Sequence, residues 1–209
     1  DYLIPADLAA SVEVGTIVRV ELHGRRIGAW VRSISEDASE GLPVDQLKPI
    51  AKVTGCGPGP EIFELAQWAS IRWAARRVRP FLVAAGPDRA VRTLPLDRRT
   101  DMTPSPQSPA TTSLLGTGGG VLRLPPRADV MPAVLSVVAC GPALVIVPEH
   151  STASLLATRL RRAGLSVASM PGDWAAAAGG VDVVIGTRSA AWAPCPGLAA
   201  AMVVDEHDE

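Results

Sequence analysis

The chain has 209 residues, 47% of them hydrophobic and 20% charged, with a formal net charge of −1, the profile of an ordinary soluble globular protein with room for one large domain or two small ones. The near-neutral balance excludes a global electrostatic pull toward nucleic acid, so any basic surface has to be local. The longest uncharged run, around Pro132 to Pro148, is broken by Gly141-Pro142 and reads as helix, turn and core strand rather than a membrane span. No signal peptide is visible, which makes the cytoplasm the expected compartment. All basic residues except Lys48 and Lys52 are arginines, a bias that a GC-rich coding sequence explains. Cys56, Cys140 and Cys195 are far apart and odd in number, so neither a disulfide framework nor a zinc site is expected, and each is read as a small buried apolar residue.

The first block runs from Asp1 to Thr93. Asp1 to Ile4 is a short strand candidate. Ile17 to Leu22 has the partial alternation of a half-buried strand, and Arg26 to Ser35 resumes after a tight link at His23-Gly24-Arg25, which together predict a β-hairpin. Leu47 to Val53 is a further strand candidate. A Gly-Pro-Gly-Pro run then precedes a helix from Glu61 to about Arg76, with Pro60 at its start and Glu61 and Glu64 near its positive end. Pro80 starts a second short helix. The pattern fits a small β-barrel with a helical appendix.

Leu94 to Thr112 is rich in Pro, Ser and Thr without apolar period, and reads as a linker. From Ser113 to Glu209 the character changes. Val121–Leu124, Ala143–Val147, Leu165–Ala168, Val181–Ile185 and Ala200–Val204 are apolar runs largely without polar alternation, as in strands buried on both faces of a parallel sheet. Helices are expected over Ala128–Ala139 and Ser151–Ala163, the latter capped by Ser151 or Thr152. This is a βαβ pattern.

The last apolar run delivers Asp205 and Glu206. A buried strand ending in two acids is how a RecA-type nucleotidase presents one carboxylate for Mg²⁺ and one to orient a water. Such a pair needs a phosphate-binding loop upstream, and no G-x-x-x-x-G-K-[ST] occurs in the chain. Gly118-Gly119-Gly120 precedes the Val121 run instead of following it and reads as a loop. Glu149 and His150 follow a strand, with no nucleophile motif near them.

Asp1-Tyr2-Leu3-Ile4-Pro5, VGTIVRVELHGRRIGAWV and LKPIAKV resemble the 3′-DNA-end-binding domain of the primosomal protein N′ (PriA) family of replication restart proteins. LVIVPEHS, and VVIGTRSAAWAPCPGL followed by VVDEHD, resemble the first helicase lobe of the same family. The resemblance implies three parts: a 3′-end-binding domain over 1–93, a linker over 94–112, and over 113–209 a truncated RecA-like lobe of the P-loop NTPase type. Two departures stand out. The family usually carries a winged-helix domain between these parts, for which 94–112 is too short. The family's G-K-T also falls on Pro126-Arg127-Ala128. Pro125 and Pro126 remove two backbone donors and fix φ, Ala128 has no hydroxyl for Mg²⁺, and the planar guanidinium of Arg127 does not substitute for a compact ammonium.

By this resemblance Asp1, Gly24 and Lys48 form the 3′-end site. Asp1 would accept a hydrogen bond from a terminal 3′-hydroxyl and repel a phosphate, Gly24 would allow close approach, and Lys48 would meet the neighbouring phosphate. Taken alone, the same residues read as an exposed terminus, a turn glycine and a solvated charge. Arg72, Arg76 and Arg79 at i, i+4, i+7 would line one face if the helix reached that far, first as a solvated face and second as a DNA backbone contact. Trp68 and Trp73, five apart, read as packing rather than a stacking platform. Arg188 in GTRSA is a further weak DNA contact. Arg127, Asp205, Glu206 and His207 would be the vestige of a nucleotide site, with no metal or cofactor expected in this chain. By the same resemblance zinc would bind beyond Glu209; the chain, which starts at Asp1 rather than Met and stops after the acids, reads as a fragment of something longer. The expected function is fork recognition and primosome assembly without unwinding, with forked or branched DNA, single-stranded DNA-binding protein and other primosome proteins as partners, no membrane, and a cytoplasmic, nucleoid-associated location. The competing expectation is an active ATP-dependent 3′→5′ helicase with an unorthodox nucleotide loop.

Overall fold

The computed structural model describes residues 1–36 and 43–205, in two units, Asp1–Leu94 and Pro95–Glu209. In the first unit, Val18 and Val20 alternate with Arg19 and Glu21, so strand β1 (Ile17–Leu22) turns its valines into a core with Val12 and Ile50 and its charges outward. β2 (Arg25–Trp30) pairs antiparallel with β1 from Leu22–Arg25 to Ile17–Trp30. The link is the two residues His23 (φ 50°) and Gly24 (φ 75°), both left-handed as a tight hairpin turn with right-twisted strands requires.

β3 (Lys52–Gly55) pairs with the other side of β1, giving a three-stranded sheet in the order β2-β1-β3 among the described residues. Three of the strand expectations shrink, the one over Arg26 to Ser35 ending at Trp30. Asp1 to Ile4 contributes a single parallel bridge, Leu3 with Pro49, and the strand expected from Leu47 starts only at Lys52. Gly15 (φ 96°) is buried where the lead-in to β1 crosses the Gly57-Pro58 segment after β3.

Helix α1 (Pro60–Arg72) starts on Pro60, with Glu61 in its first turn, and buries Ile62, Ala66 and Ala69 at helical spacing. It ends four residues before the expected Arg76. Ala74 adopts φ 50°, and the amides of Ala75 and Ala74 donate back to the carbonyls of Ser70 and Ile71. This is the paired C-terminal closure that glycine usually marks; alanine occupies the position here and leaves no signal in the sequence. α2 (Arg79–Ala85) follows, with Pro80 in its first turn.

Among the described residues the second unit holds four parallel strands, β4 (Ala143–Ile146), β5 (Val167–Ser169), β6 (Val183–Gly186) and β7 (Ala200–Val203), in the order β5-β6-β4-β7. Four helices accompany them: α3 (Pro109–Gly116), α4 (Met131–Val138), α5 (His150–Arg162) and α6 (Trp174–Gly179). Val145, Val147, Val183 and Ile185 pack with α4 and α5; Leu144, Val184 and Ala168 pack on the other side with α6 and the 3₁₀ turn Arg188–Trp192. Both faces of β4 and β6 are therefore dry, which is why they read as unbroken apolar runs, whereas the edge strand β7 leaves Ala201 and Val203 exposed. α5 is flanked by Glu149 at its N-cap, not by Ser151 or Thr152, and Ser151 Oγ donates to Glu149 Oε2 at 2.8 Å.

Three expectations are corrected in this unit. Val121–Leu124 is not a strand: Val121 is 78% exposed, and Pro125-Pro126 deny it the donors a strand would need to continue. Pro95 to Ser108 does not hang free as a linker. Arg98 N–H donates to Gly180 O, Thr100 N–H and Oγ1–H donate to Asp182, and the amides of Gln107 and Ser108 donate to Ser136 Oγ. α3 starts within the expected linker, capped by Ser108, whose Oγ accepts from Thr111 N–H. Of the cysteines, Cys195 is buried, Cys56 half-buried and Cys140 exposed, so the reading of each as a buried apolar residue fits Cys195 alone.

Candidate nucleic-acid interface

The chain start is brought to the hairpin by two backbone hydrogen bonds, Leu3 N–H to Lys48 O at 3.0 Å and Ile50 N–H to Leu3 O at 2.9 Å. They set the exposed Asp1 segment alongside Lys48. Lys48 Nζ donates to Glu21 Oε1 at 2.7 Å, both side chains about half exposed. Tyr2 Oη–H donates to the carbonyl of Glu21, and Gly24 sits three residues further on, with open space where a Cβ would stand. The hydrogen bond from Lys48 holds the Glu21 carboxyl below its ordinary range, helped by the lysine charge and then by Arg26; the same bond raises Lys48.

Glu21 is the site residue that sequence reasoning missed. It lies 27 positions from Lys48, and only the sheet register joins them. The register also sets Arg26 opposite Glu21 and Lys52 opposite Arg19 on the outward face. Two like charges directly across a sheet repel each other in the free protein and suit a polyanion lying over them. Glu21 is then an acid set within a basic patch and competes with phosphate for Lys48. Glu21→Gln is expected to tighten binding of fork DNA about fivefold at low salt, with the gain fading as salt rises. Fluorescence anisotropy across a salt series reads this, and an unchanged affinity removes Lys48 from the interface.

The arginine row does not form as expected. α1 ends at Arg72, Arg76 falls in the connection, and Arg79 opens α2, so the three do not share one helical face. They are exposed all the same, and none of Arg72, Arg76, Arg77 or Arg79 has an acidic partner among the described residues. The early end of α1 also swings Trp73 back, so that Trp68 and Trp73 meet edge to face at 6.1 Å between ring centroids. They are 58% and 60% exposed, so the two rings pack on each other at the surface rather than in a core.

In the second unit, Pro125 O accepts from Ala128 N–H across a turn with Pro126 at its second position and Arg127 at φ 65° in its third, the geometry of a type II turn. Asp129 Oδ1 accepts from Met131 N–H at the start of α4, and both Asp129 oxygens are gripped by Arg159 at 2.6 and 2.7 Å. Arg159, with the α4 amide, holds the Asp129 carboxyl down to about 2. Asp205 follows β7 with φ 48° and is exposed; Glu206 and His207 lie outside the described residues. Arg188 is exposed at the start of the 3₁₀ turn after β6, where Gly186 is needed because a Cβ would meet Ala190 and Met170 at 2.9 Å. Glu149 and His150 stand exposed at the start of α5, after β4.

A small antiparallel sheet that offers lysine and arginine at one hairpin, with the chain start folded beside them, is a surface of the nucleic-acid-binding class. Residues 1–82 match the PriA 3′ DNA-binding domain (3′BD) family, a match that lies within the first unit. Over those residues the chain is similar to that family, and DNA binding in replication restart is what the match supports. None of the curated proteins matches the chain.

Proposed function

We propose that this protein recognises DNA forks through the 3′ end of a nascent strand and serves the assembly of a replication-restart primosome without unwinding DNA itself. The observation that carries the reading is the Leu3–Pro49 bridge, which sets the chain start beside Lys48 in a unit similar to the 3′BD family. Asp1 accepts a hydrogen bond from the terminal 3′-hydroxyl, Lys48 meets the adjacent phosphate, and the open space at Gly24 lets the strand approach the backbone. A 3′-phosphate would bring anionic charge against Asp1. Forked DNA, single-stranded DNA-binding protein and other primosome proteins are the proposed partners, and the cytoplasmic nucleoid the proposed place.

The second unit is proposed to be a RecA-like lobe that has lost nucleotide chemistry and holds surfaces such as Arg188 in place. Its residues do not fit a Mg²⁺–nucleotide. A Pro-Pro turn stands where backbone donors would cradle phosphate. The α4 start, which would attract an anion, already faces the carboxylate of Asp129. The expected result is no ATP-dependent thermal shift and no DNA-stimulated phosphate release, in this chain or in any longer protein containing it. DNA-stimulated hydrolysis abolished by Glu206→Gln would overturn this part and restore the helicase reading.

A further inference from the structure

We propose that the helical side of the first unit holds a second DNA subsite, which stacks bases of single-stranded DNA a few nucleotides upstream of the 3′ end. The proposal rests on the reading that this unit takes a 3′ end. A groove of about 730 Å³ runs between β2 and the helices, lined by Trp30, Arg32, Phe63, Trp68, Ile71 and others, with Glu64 its one acid. Most of this lining is apolar, and large rings stand open to solvent at its mouth. Trp68 meets Trp73 edge to face, and Trp73 lies nearly parallel to Phe81, 5.9 Å between centroids with planes 25° apart. Arg79 sits over the ring of Trp30 at 5.5 Å.

Charge decides the occupant. From Leu65 to Pro87 the chain carries Arg72, Arg76, Arg77 and Arg79 and no acid, and none of the four is neutralised by an ion pair among the described residues. Exposed aromatic faces among uncompensated guanidinium groups are what sequence-tolerant binding of single strands uses: π-faces for bases, cations for phosphates. Trp30 also shares a face of β2 with Arg26, four residues or roughly 13 Å along the strand, and Arg26 lies opposite Glu21, the partner of Lys48. A strand whose end lies at Lys48 is thereby led toward the groove.

The test uses 3′-hydroxyl oligothymidylates, intact or carrying abasic sites at successive positions from the 3′ end, titrated against the 209-residue chain. Abasic sites keep the phosphates and remove the stacking bases. The expected result is about tenfold weaker binding when the internal positions are abasic, an effect lost in Trp68→Ala and Trp73→Ala. Arg77→Ala lowers the salt dependence by about 0.7 per phosphate contact removed. Both tryptophans are exposed, so folding is checked by an unchanged thermal melt, and Trp68→Phe is expected to keep most of the binding. The preference for 3′-hydroxyl over 3′-phosphate stays intact in the tryptophan variants and disappears in Asp1→Ala, so loss of the end site and loss of the groove are told apart. Abasic sites without effect would overturn the proposal. So would a groove that takes an acidic peptide but no oligonucleotide, which would assign it to a protein partner.

Discussion

Asp182→Ala is expected to destabilise the second unit by about 4 kcal/mol. Asp182 is only 9% exposed and stands just before β6. Its Oδ2 accepts from Ser166 N–H, Ser166 Oγ–H and Thr100 Oγ1–H, and its Oδ1 from Thr100 N–H, at 2.8 to 3.0 Å. Ser166 Oγ in turn accepts from Asp182 N–H. One carboxylate thus ties the segment before α3 to the turn that leads into β5. Alanine leaves those donors facing no acceptor, and buried unpaired donors cost more than the bonds themselves gain. Asp182→Asn keeps the oxygen where three donors converge and sets its amide against a single N–H, so a cost of about 2 kcal/mol is expected. Urea unfolding, with hydrogen exchange to locate the loss around Thr100 and Ser166, measures both. A cost under about 1 kcal/mol for alanine would show that the 95–108 segment is not held by this residue.

Gly15→Ala is expected to cost the first unit about 3 kcal/mol or more. Gly15 has φ 96°, and a Cβ there would overlap the carbonyl oxygen of Pro58. Pro58 is among the fully buried side chains, so the relief has to come from moving backbone. Gly24→Ala is the control. It too has positive φ (75°), but nothing lies within 4 Å of the added carbon, so only the conformational cost of about 1–2 kcal/mol applies. Thermal melts of the two variants separate strain from collision, and equal losses would contradict the close approach at Gly15.

What the sequence disclosed depended on whether a feature is local. The hairpin was legible because alternation and a His-Gly tip sit within a few residues, and β4 and β6 were legible because both their faces are dry; β5 and β7, at the sheet edges, were legible from their apolar runs although β7 is half exposed. Val121–Leu124 carries the same apolar signature, yet two prolines close it into a turn, and composition alone does not separate the cases. The attachment of residues 95–108 was not legible, since it runs through Asp182 and Ser136, far along the chain and without periodicity. The site shows the same division. Asp1 and Lys48 could be named from a resemblance, but the Glu21–Lys48 pair exists only through sheet register. The Trp68–Trp73 contact exists only because α1 closes on an alanine where glycine would have announced the end.

The central claim is that the first unit distinguishes a strand end from an internal phosphodiester. Binding of fork DNA with a 3′-hydroxyl nascent end, compared at fixed salt with the same fork carrying a 3′-phosphate, tests it most directly. The hydroxyl form is predicted to bind about tenfold or more tightly, from one lost hydrogen bond and the repulsion between phosphate and Asp1; Asp1→Ala is predicted to remove that preference, whereas Lys48→Ala weakens binding of both forms. Equal affinity for the two ends would contradict the account.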